Sequence, residues 1–166
     1  YPGSQGGTAV ADVLFGDYNP GGKLTVTIPK SVGQIPFNFP AKPASQVDGG
    51  KGVGMDGKMS RLNGALYPFG YGLSYTTFEY SDLEISSRLI TPNQDVTITC
   101  NVTNTGKVAG DEVVQLYVRD LISSVTTYEK NLRGFERVQL KSGETKKFRL
   151  SYVRETCNYW TKKMNG

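Results

Sequence analysis

Histidine is absent from the 166 residues. That excludes Ser-His-Asp and Cys-His nucleophile chemistry within this chain and removes the commonest metal ligand. Cysteine is nearly absent as well: Cys100 and Cys157 stand far apart, without the local spacing of a zinc site. No metal site is expected. A disulfide between the two cysteines is open on sequence grounds, while the alternating stretch around Cys100 favours a buried thiol on a strand. No apolar run approaches the length of a membrane helix, so no membrane partner is expected. The start, Tyr1-Pro2-Gly3, has neither the basic region nor the apolar core of a signal peptide and reads as mid-protein sequence. Charge of one sign is not in large excess. Nineteen basic against fifteen acidic residues give +4, spread evenly, which argues against a nucleic-acid partner. Lys141, Lys146, Lys147 and Arg149 read as a solvated strand face.

Glycine and aromatic residues are what the chain has in quantity. The stretch Tyr67-Pro68-Phe69-Gly70-Tyr71-Gly72-Leu73-Ser74-Tyr75-Thr76-Thr77-Phe78-Glu79-Tyr80 packs three aromatics, two glycines and a proline into its first eight residues. Pro68 fixes its own φ and biases Tyr67 toward an extended conformation. Gly70 and Gly72 permit backbone angles that other residues avoid. Two readings stand: a seam between two folded units, or an aromatic-rich turn inside one.

Ahead of this stretch, Gly6-Gly7-Thr8 precedes Ala9-Val10-Ala11-Asp12-Val13-Leu14-Phe15, and Gly16 follows. This predicts a helix with Thr8 as N-cap and Gly16 as C-terminal stop. Val10, Val13 and Leu14 share one helical face, which must pack against something. Asn19-Pro20-Gly21-Gly22 is a turn. Lys23 to Ile28 alternates with period two and ends at Pro29, predicting a strand. Such a helix–turn–strand unit cannot bury its own apolar faces and reads as a fragment of α/β architecture. Residues 41–64, rich in glycine, read as a mobile loop or linker that should show fast amide exchange. Met55 to Arg61 within it could contact a ligand but reads more simply as a solvated excursion.

After the aromatic stretch the pattern is all-β. Phe78 and Tyr80 share one phase and Leu83 and Ile85 the other, which places a bulge near Ser81-Asp82. Val96 to Thr103 and Val114 to Arg119 alternate cleanly. Phe135 to Leu140 gives a less regular strand, and Lys147 to Tyr152 alternates again. Asn104-Thr105-Gly106 and Ser142-Gly143-Glu144 are turns. Five strands predict an antiparallel sandwich of immunoglobulin or fibronectin type III-like form, short of its usual seven. In the tail, Cys157, Tyr159 and Trp160 could dock an aromatic patch onto it.

No catalytic constellation is visible. A glycosidase would need two carboxylates on either side of a sugar bond. Asp111 and Glu112 start a strand, where adjacent residues face opposite ways. Asp12 and Asp17 lie in and after the short helix and read as solvated charges. Asn101-Val102-Thr103 matches a glycosylation acceptor but sits on a strand. Gly3-Ser4-Gln5-Gly6-Gly7 could cradle an anion but reads as a helix-entry turn.

The run from Tyr1 to Leu24 nevertheless resembles the end of the α/β-sandwich domain of glycoside hydrolase family 3. Tyr67 to Tyr80 resembles the junction motif of that family. Asn101 to Gly106, Val114 to Val118 and Leu132-Arg133-Gly134-Phe135 resemble its C-terminal fibronectin type III-like domain. Thr25 and Thr127-Tyr128 depart from the family pattern locally. The resemblance covers almost the whole chain in order.

It implies a mainly β chain: a fibronectin type III-like (immunoglobulin-like) sandwich preceded by a helix–strand remnant of an α/β sandwich domain. The expected divisions are residues 1–39 for the remnant, 40–75 for linker and junction, and 76–166 for the sandwich, lacking a final hairpin. The parent would be a retaining β-glucosidase or β-xylosidase, secreted or periplasmic, acting on β-linked oligosaccharides. Its nucleophilic aspartate and its acid/base glutamate would lie upstream, so no catalytic residue carries over, no substrate-binding residue is assigned, and no cofactor is implied. The expected partners are the upstream catalytic domains. Uncovered surfaces predict either a homo-oligomer or residues 1–39 folded back onto the sandwich. The rival reading is a free-standing immunoglobulin-like adhesion or carbohydrate-binding module. Residues 1–29 count against it, since such a module has no use for a helix and strand from a missing sheet.

Overall fold

The computed structural model describes residues 3–34, 38–42, 64–89, 94–123 and 125–152. The loop expected over 41–64 falls almost wholly on residues 43–63, outside the described residues, as do Met55 to Arg61 and the tail with Cys157, Tyr159 and Trp160. The elements are α1 (Gly6–Phe15), a single 3-10 turn (Val32–Gln34), β1 (Phe78–Ile85), β2 (Val96–Asn104), β3 (Gly110–Val118), β4 (Asn131–Leu140) and β5 (Thr145–Tyr152). The chain is mainly β. One sheet has the order β1-β2-β5, both pairings antiparallel, and the other pairs β3 with β4.

Contacts divide the chain into two compact units. One contains Tyr1–Pro20, Ser74–Val114 and Gly134–Gly166, and the other Gly21–Leu73 and Gln115–Arg133. The first holds the core. Val102 of β2, Val114 of β3, Leu140 of β4 and Phe148 of β5 form one buried cluster, with Phe78, Cys100, Val138 and Leu150 packed around it. Fully burying each such side chain is worth about 2 kcal/mol. All five strands expected after the aromatic stretch are present. The expected bulge is present too: the β1–β2 register shifts between Ser81 and Glu84, and Asp82 sits at φ 52°. A residue in that region twists the strand and lets β1 change the face it presents.

Two local expectations are corrected. The helix begins at Gly6, with Gln5 rather than Thr8 at the N-cap and no side-chain cap. Gly3, at φ 69°, makes a turn that gives the Gly6 N–H an acceptor in the Gly3 carbonyl at 3.2 Å, so the helix starts before the Thr8 hydroxyl is reached. Gly16 does end it, in the left-handed conformation at φ 88°.

The strand expected at Lys23–Ile28 is absent. The segment keeps one isolated bridge, Ile28 to Tyr67. The Leu24 N–H donates to Tyr71 O and Leu24 O accepts from the Gly70 N–H, while the Ile28 N–H donates to Tyr67 O. Between these ends lies Pro68, which has no N–H to donate, and a turn closed by the Tyr71 N–H on Pro68 O at 3.1 Å. The ladder is interrupted where a strand would need to be continuous.

The centre of the first unit is polar. Asn104, the last residue of β2, is fully buried at 0% exposure. Its Nδ2 donates to Val108 O at 2.9 Å and Leu140 O at 3.1 Å. Its Oδ1 accepts from the Thr76 hydroxyl at 2.6 Å and the Gly106 N–H at 3.0 Å. Its own N–H donates to Glu144 O, and its carbonyl accepts from the Gly143 N–H, both at 2.9 Å. Asn104→Ala would leave several of these buried partners unpaired. At about 1 kcal/mol for each of the four side-chain bonds lost, a loss of about 4 kcal/mol is expected, against about 1 kcal/mol for Thr76→Ala. Urea denaturation of the two variants checks the ratio.

Candidate functional site

The aromatic stretch falls in both units, which change over between Leu73 and Ser74. In the second unit, Phe69 stacks on Phe39 with centroids 4.1 Å apart and planes 12° apart. Phe39 meets Tyr117 of β3 edge-on at 5.9 Å. Lys130 Nζ lies 4.8 Å above the Tyr117 ring, a favourable cation–π position. Burial raises the Tyr117 phenol above its ordinary pKa. Gly70, at φ 80°, accepts from Gln115 Nε2 at 3.2 Å. A Cβ at this position would press on the Gln115 amide oxygen and the Tyr117 hydroxyl, side-chain ends that would have to shift, and the positive φ itself favours glycine. Tyr67 and Tyr71 stack on each other at 5.2 Å and remain exposed.

In the first unit, the end of α1 meets the start of β1 and the β2–β3 turn. Asn19 Oδ1 accepts from the Ser74 hydroxyl at 2.9 Å and the Tyr75 N–H at 2.8 Å, and its Nδ2 donates to Ala109 O at 2.9 Å. The Tyr75 hydroxyl donates to Val13 O at 2.6 Å. Arg137 of β4 donates through Nε to Asp111 at 2.9 Å and through Nη2 to the Tyr18 hydroxyl at 3.0 Å. Beside these bonds lies an open cleft of about 390 Å³ lined by Leu14, Phe15, Asp17, Tyr75 and Val108 among others. In the sequence, Asn19 and Asn104 carry only turn signatures. An asparagine before Pro-Gly or Thr-Gly looks the same whether its amide faces water or the interior.

The carboxylates weighed as candidate acids are found in ordinary structural surroundings. Asp111 pairs with Arg137, and Glu112, buried on the opposite face, accepts from the Tyr80 hydroxyl at 2.9 Å. Asp12 is half-buried on α1, and Asp17 is exposed at the cleft. Asn101 donates to Asp82 at 2.7 Å from a half-buried position on β2. Cys100 is a half-buried thiol whose pKa burial raises. Gly3-Ser4-Gln5 forms the helix-entry turn, and Gly6 and Gly7 are the first residues of α1. Among the described residues, no group of three His, Cys, Asp or Glu could hold a metal ion, and no helix is long and apolar enough to cross a membrane.

Comparison with known proteins gives both halves of the chain a relationship. Residues 1–75 match the glycosyl hydrolase family 3 C-terminal domain, and residues 112–166 match the fibronectin type III-like domain. A β-xylosidase of Formosa agariphila is 49% identical over 88% of this chain and 20% of its own length. A periplasmic β-glucosidase of Salmonella typhimurium is 42% identical over 99% of this chain and 22% of its own length. The structure of a β-glucosidase from Erythrobacter marinus superposes with a TM-score of 0.83 at 41% identity, covering 93% of this chain and 20% of that one. The chain therefore spans about a fifth of the length of these relatives.

Tyr80 carries the pH-sensitive contact of the first unit. Burial, and then the Glu112 carboxylate, push its phenol well above the ordinary tyrosine range. Its folded pKa thus lies above its unfolded one. The stabilisation is complete below the unfolded value of about 10 and is lost as pH rises beyond it. The side chain is 49% exposed, so solvent screening keeps the effect modest. Urea midpoints measured from about pH 8 upward should fall above about pH 10, and Tyr80→Phe should show a shallower alkaline loss.

Proposed function

The chain belongs to the C-terminal region of glycoside hydrolase family 3, and on that premise we propose that it is the accessory, structural portion of a β-glycosidase that hydrolyses O-glycosyl bonds in carbohydrate metabolism. The observation that carries the reading is the ordered match of both domain models to a chain one-fifth the length of its β-glucosidase and β-xylosidase relatives. Residues 1–39 are the remnant of the α/β domain, 40–75 the linker and junction, and 76–166 the fibronectin type III-like domain. The catalytic carboxylates and most of the sugar contacts belong to upstream domains, and this chain braces them and shapes the rim of the substrate cleft. No residue here is assigned a catalytic, cofactor or metal role. The periplasmic relative supports a secreted or periplasmic setting for the whole enzyme.

By itself, this chain should not turn over aryl β-glucosides or β-xylosides. The full-length polypeptide should hydrolyse at least one of the two. Release of the aryl group by the chain alone, persisting through further purification at an enzymatic rate, would place catalytic groups within these residues and end the accessory reading.

A further inference from the structure

Two turns of the first unit are fastened to each other. The β2–β3 turn starts at Asn104, and the β4–β5 turn runs from Lys141 to Glu144. The Gly143 N–H donates to Asn104 O, and the Asn104 N–H donates to Glu144 O, both at 2.9 Å. The Ser142 hydroxyl donates to Gly106 O at 2.7 Å. The Thr103 and Thr145 hydroxyls share a hydrogen bond of 2.8 Å at the strand ends. Both backbone groups of the buried Asn104 thus depend on the β4–β5 turn. That turn is itself closed by a charge. Glu144 Oε2 accepts from the Lys141 N–H at 2.7 Å, and the Glu144 N–H returns to Lys141 O at 3.0 Å. Lys146 Nζ lies 3.4 Å from Glu144 Oε1 and donates to Gln139 O at 2.9 Å. The β2–β3 turn brings one charged side chain, the exposed Lys107, and neither turn supplies a second carboxylate. Lys147, next along β5, pairs instead with Glu84 of β1 at 3.3 Å.

We propose that Glu144 makes the β4–β5 turn an acid-released clasp. Ionised, it closes the turn on Asn104. Protonated, it lets the turn open locally and admits water to the Asn104 backbone while the apolar cluster stays packed. The chemistry follows from the contact. A carboxylate accepts a backbone N–H strongly while it is charged, and a carboxylic acid accepts it weakly and gains a donor that has no partner in the turn. The Lys141 N–H, with Lys146 behind it, outweighs desolvation and holds the Glu144 carboxyl below its ordinary pKa. A folded value below the unfolded one of about 4.3 means that the clasp is complete above that pH and is lost as pH falls through the folded value. The Glu144 side chain is 33% exposed, so solvent screening keeps the effect small against the stability of the unit. Opening is therefore confined to the turn, the kind of local event that amide exchange resolves.

The test is amide exchange of this chain, followed residue by residue by NMR from about pH 6 to about pH 2.5 and corrected for intrinsic exchange. Protection of the Lys141, Gly143 and Asn104 amides should hold down to about pH 4 and then fall several-fold. The Val102 and Phe148 amides, in the packed cluster, should stay protected over the same range. Glu144→Gln keeps an oxygen that can accept from Lys141 but does not titrate, so the fall at the three turn amides should disappear. Glu144→Ala should leave those amides weakly protected at every pH. An acid fall in Glu144→Gln equal to that of the parent assigns the response to other carboxylates and overturns the proposal. Parent-like protection in Glu144→Ala shows that the carboxylate does not close the turn and overturns it as well. Loss of Val102 and Phe148 protection in step with the turn marks global acid unfolding and overturns the local clasp.

Discussion

The side-chain amide of Asn104 is the contact on which the sandwich unit depends. It is buried, and every hydrogen-bonding group it owns is used. Through it, the residue that leads into β1, the turn after β2 and the end of β4 share one point, and the Asn104 backbone N–H and carbonyl hold the β4–β5 turn beside them. A polar group in a low-dielectric interior costs far more when half-satisfied than it contributes when satisfied. The neighbours are shaped to fit: a Cβ at Gly106 would meet the Thr76 hydroxyl and the Thr77 backbone N–H. The apolar cluster of Val102, Val114, Leu140 and Phe148 supplies the driving force, while Asn104 sets which loop ends meet beside it.

Around that centre the molecule separates two tasks. Polar contacts attach residues 13–19 to the sandwich, and apolar side chains on α1 are left facing water. A self-contained domain would do the reverse, since apolar burial is the cheaper way to attach a helix. The second unit has a comparable design. Its aromatic stack of Phe69, Phe39 and Tyr117 is half-buried, while Tyr67 and Tyr71 stay exposed.

Much of this was legible from residue order. The five strands follow from period-two alternation, because a residue facing the sandwich core cannot be polar without a partner. The bulge at Ser81-Asp82 follows from the phase change between Tyr80 and Leu83. The family relationship follows from motifs in order along the chain. The helix stop at Gly16 follows from a left-handed backbone position that only glycine adopts without strain.

Tertiary structure decided the rest. Alternation from Lys23 to Ile28 promised a strand, but hydrogen bonds need a continuous partner, and Pro68 interrupts the one available. Asn19 and Asn104 carry turn signatures, and only the surrounding carbonyls and hydroxyls make one a clamp and the other a buried hub. The exposure of Val10, Leu14 and Phe15 is likewise invisible in an amphipathic pattern, which says that a face is apolar but not what covers it. Sequence by itself determined the β-sandwich strands, the helix stop and the lineage of this chain, because these are written in short-range spacing. The partners of its polar and apolar groups come from residues tens of positions away, and only the folded arrangement brings them within bonding distance.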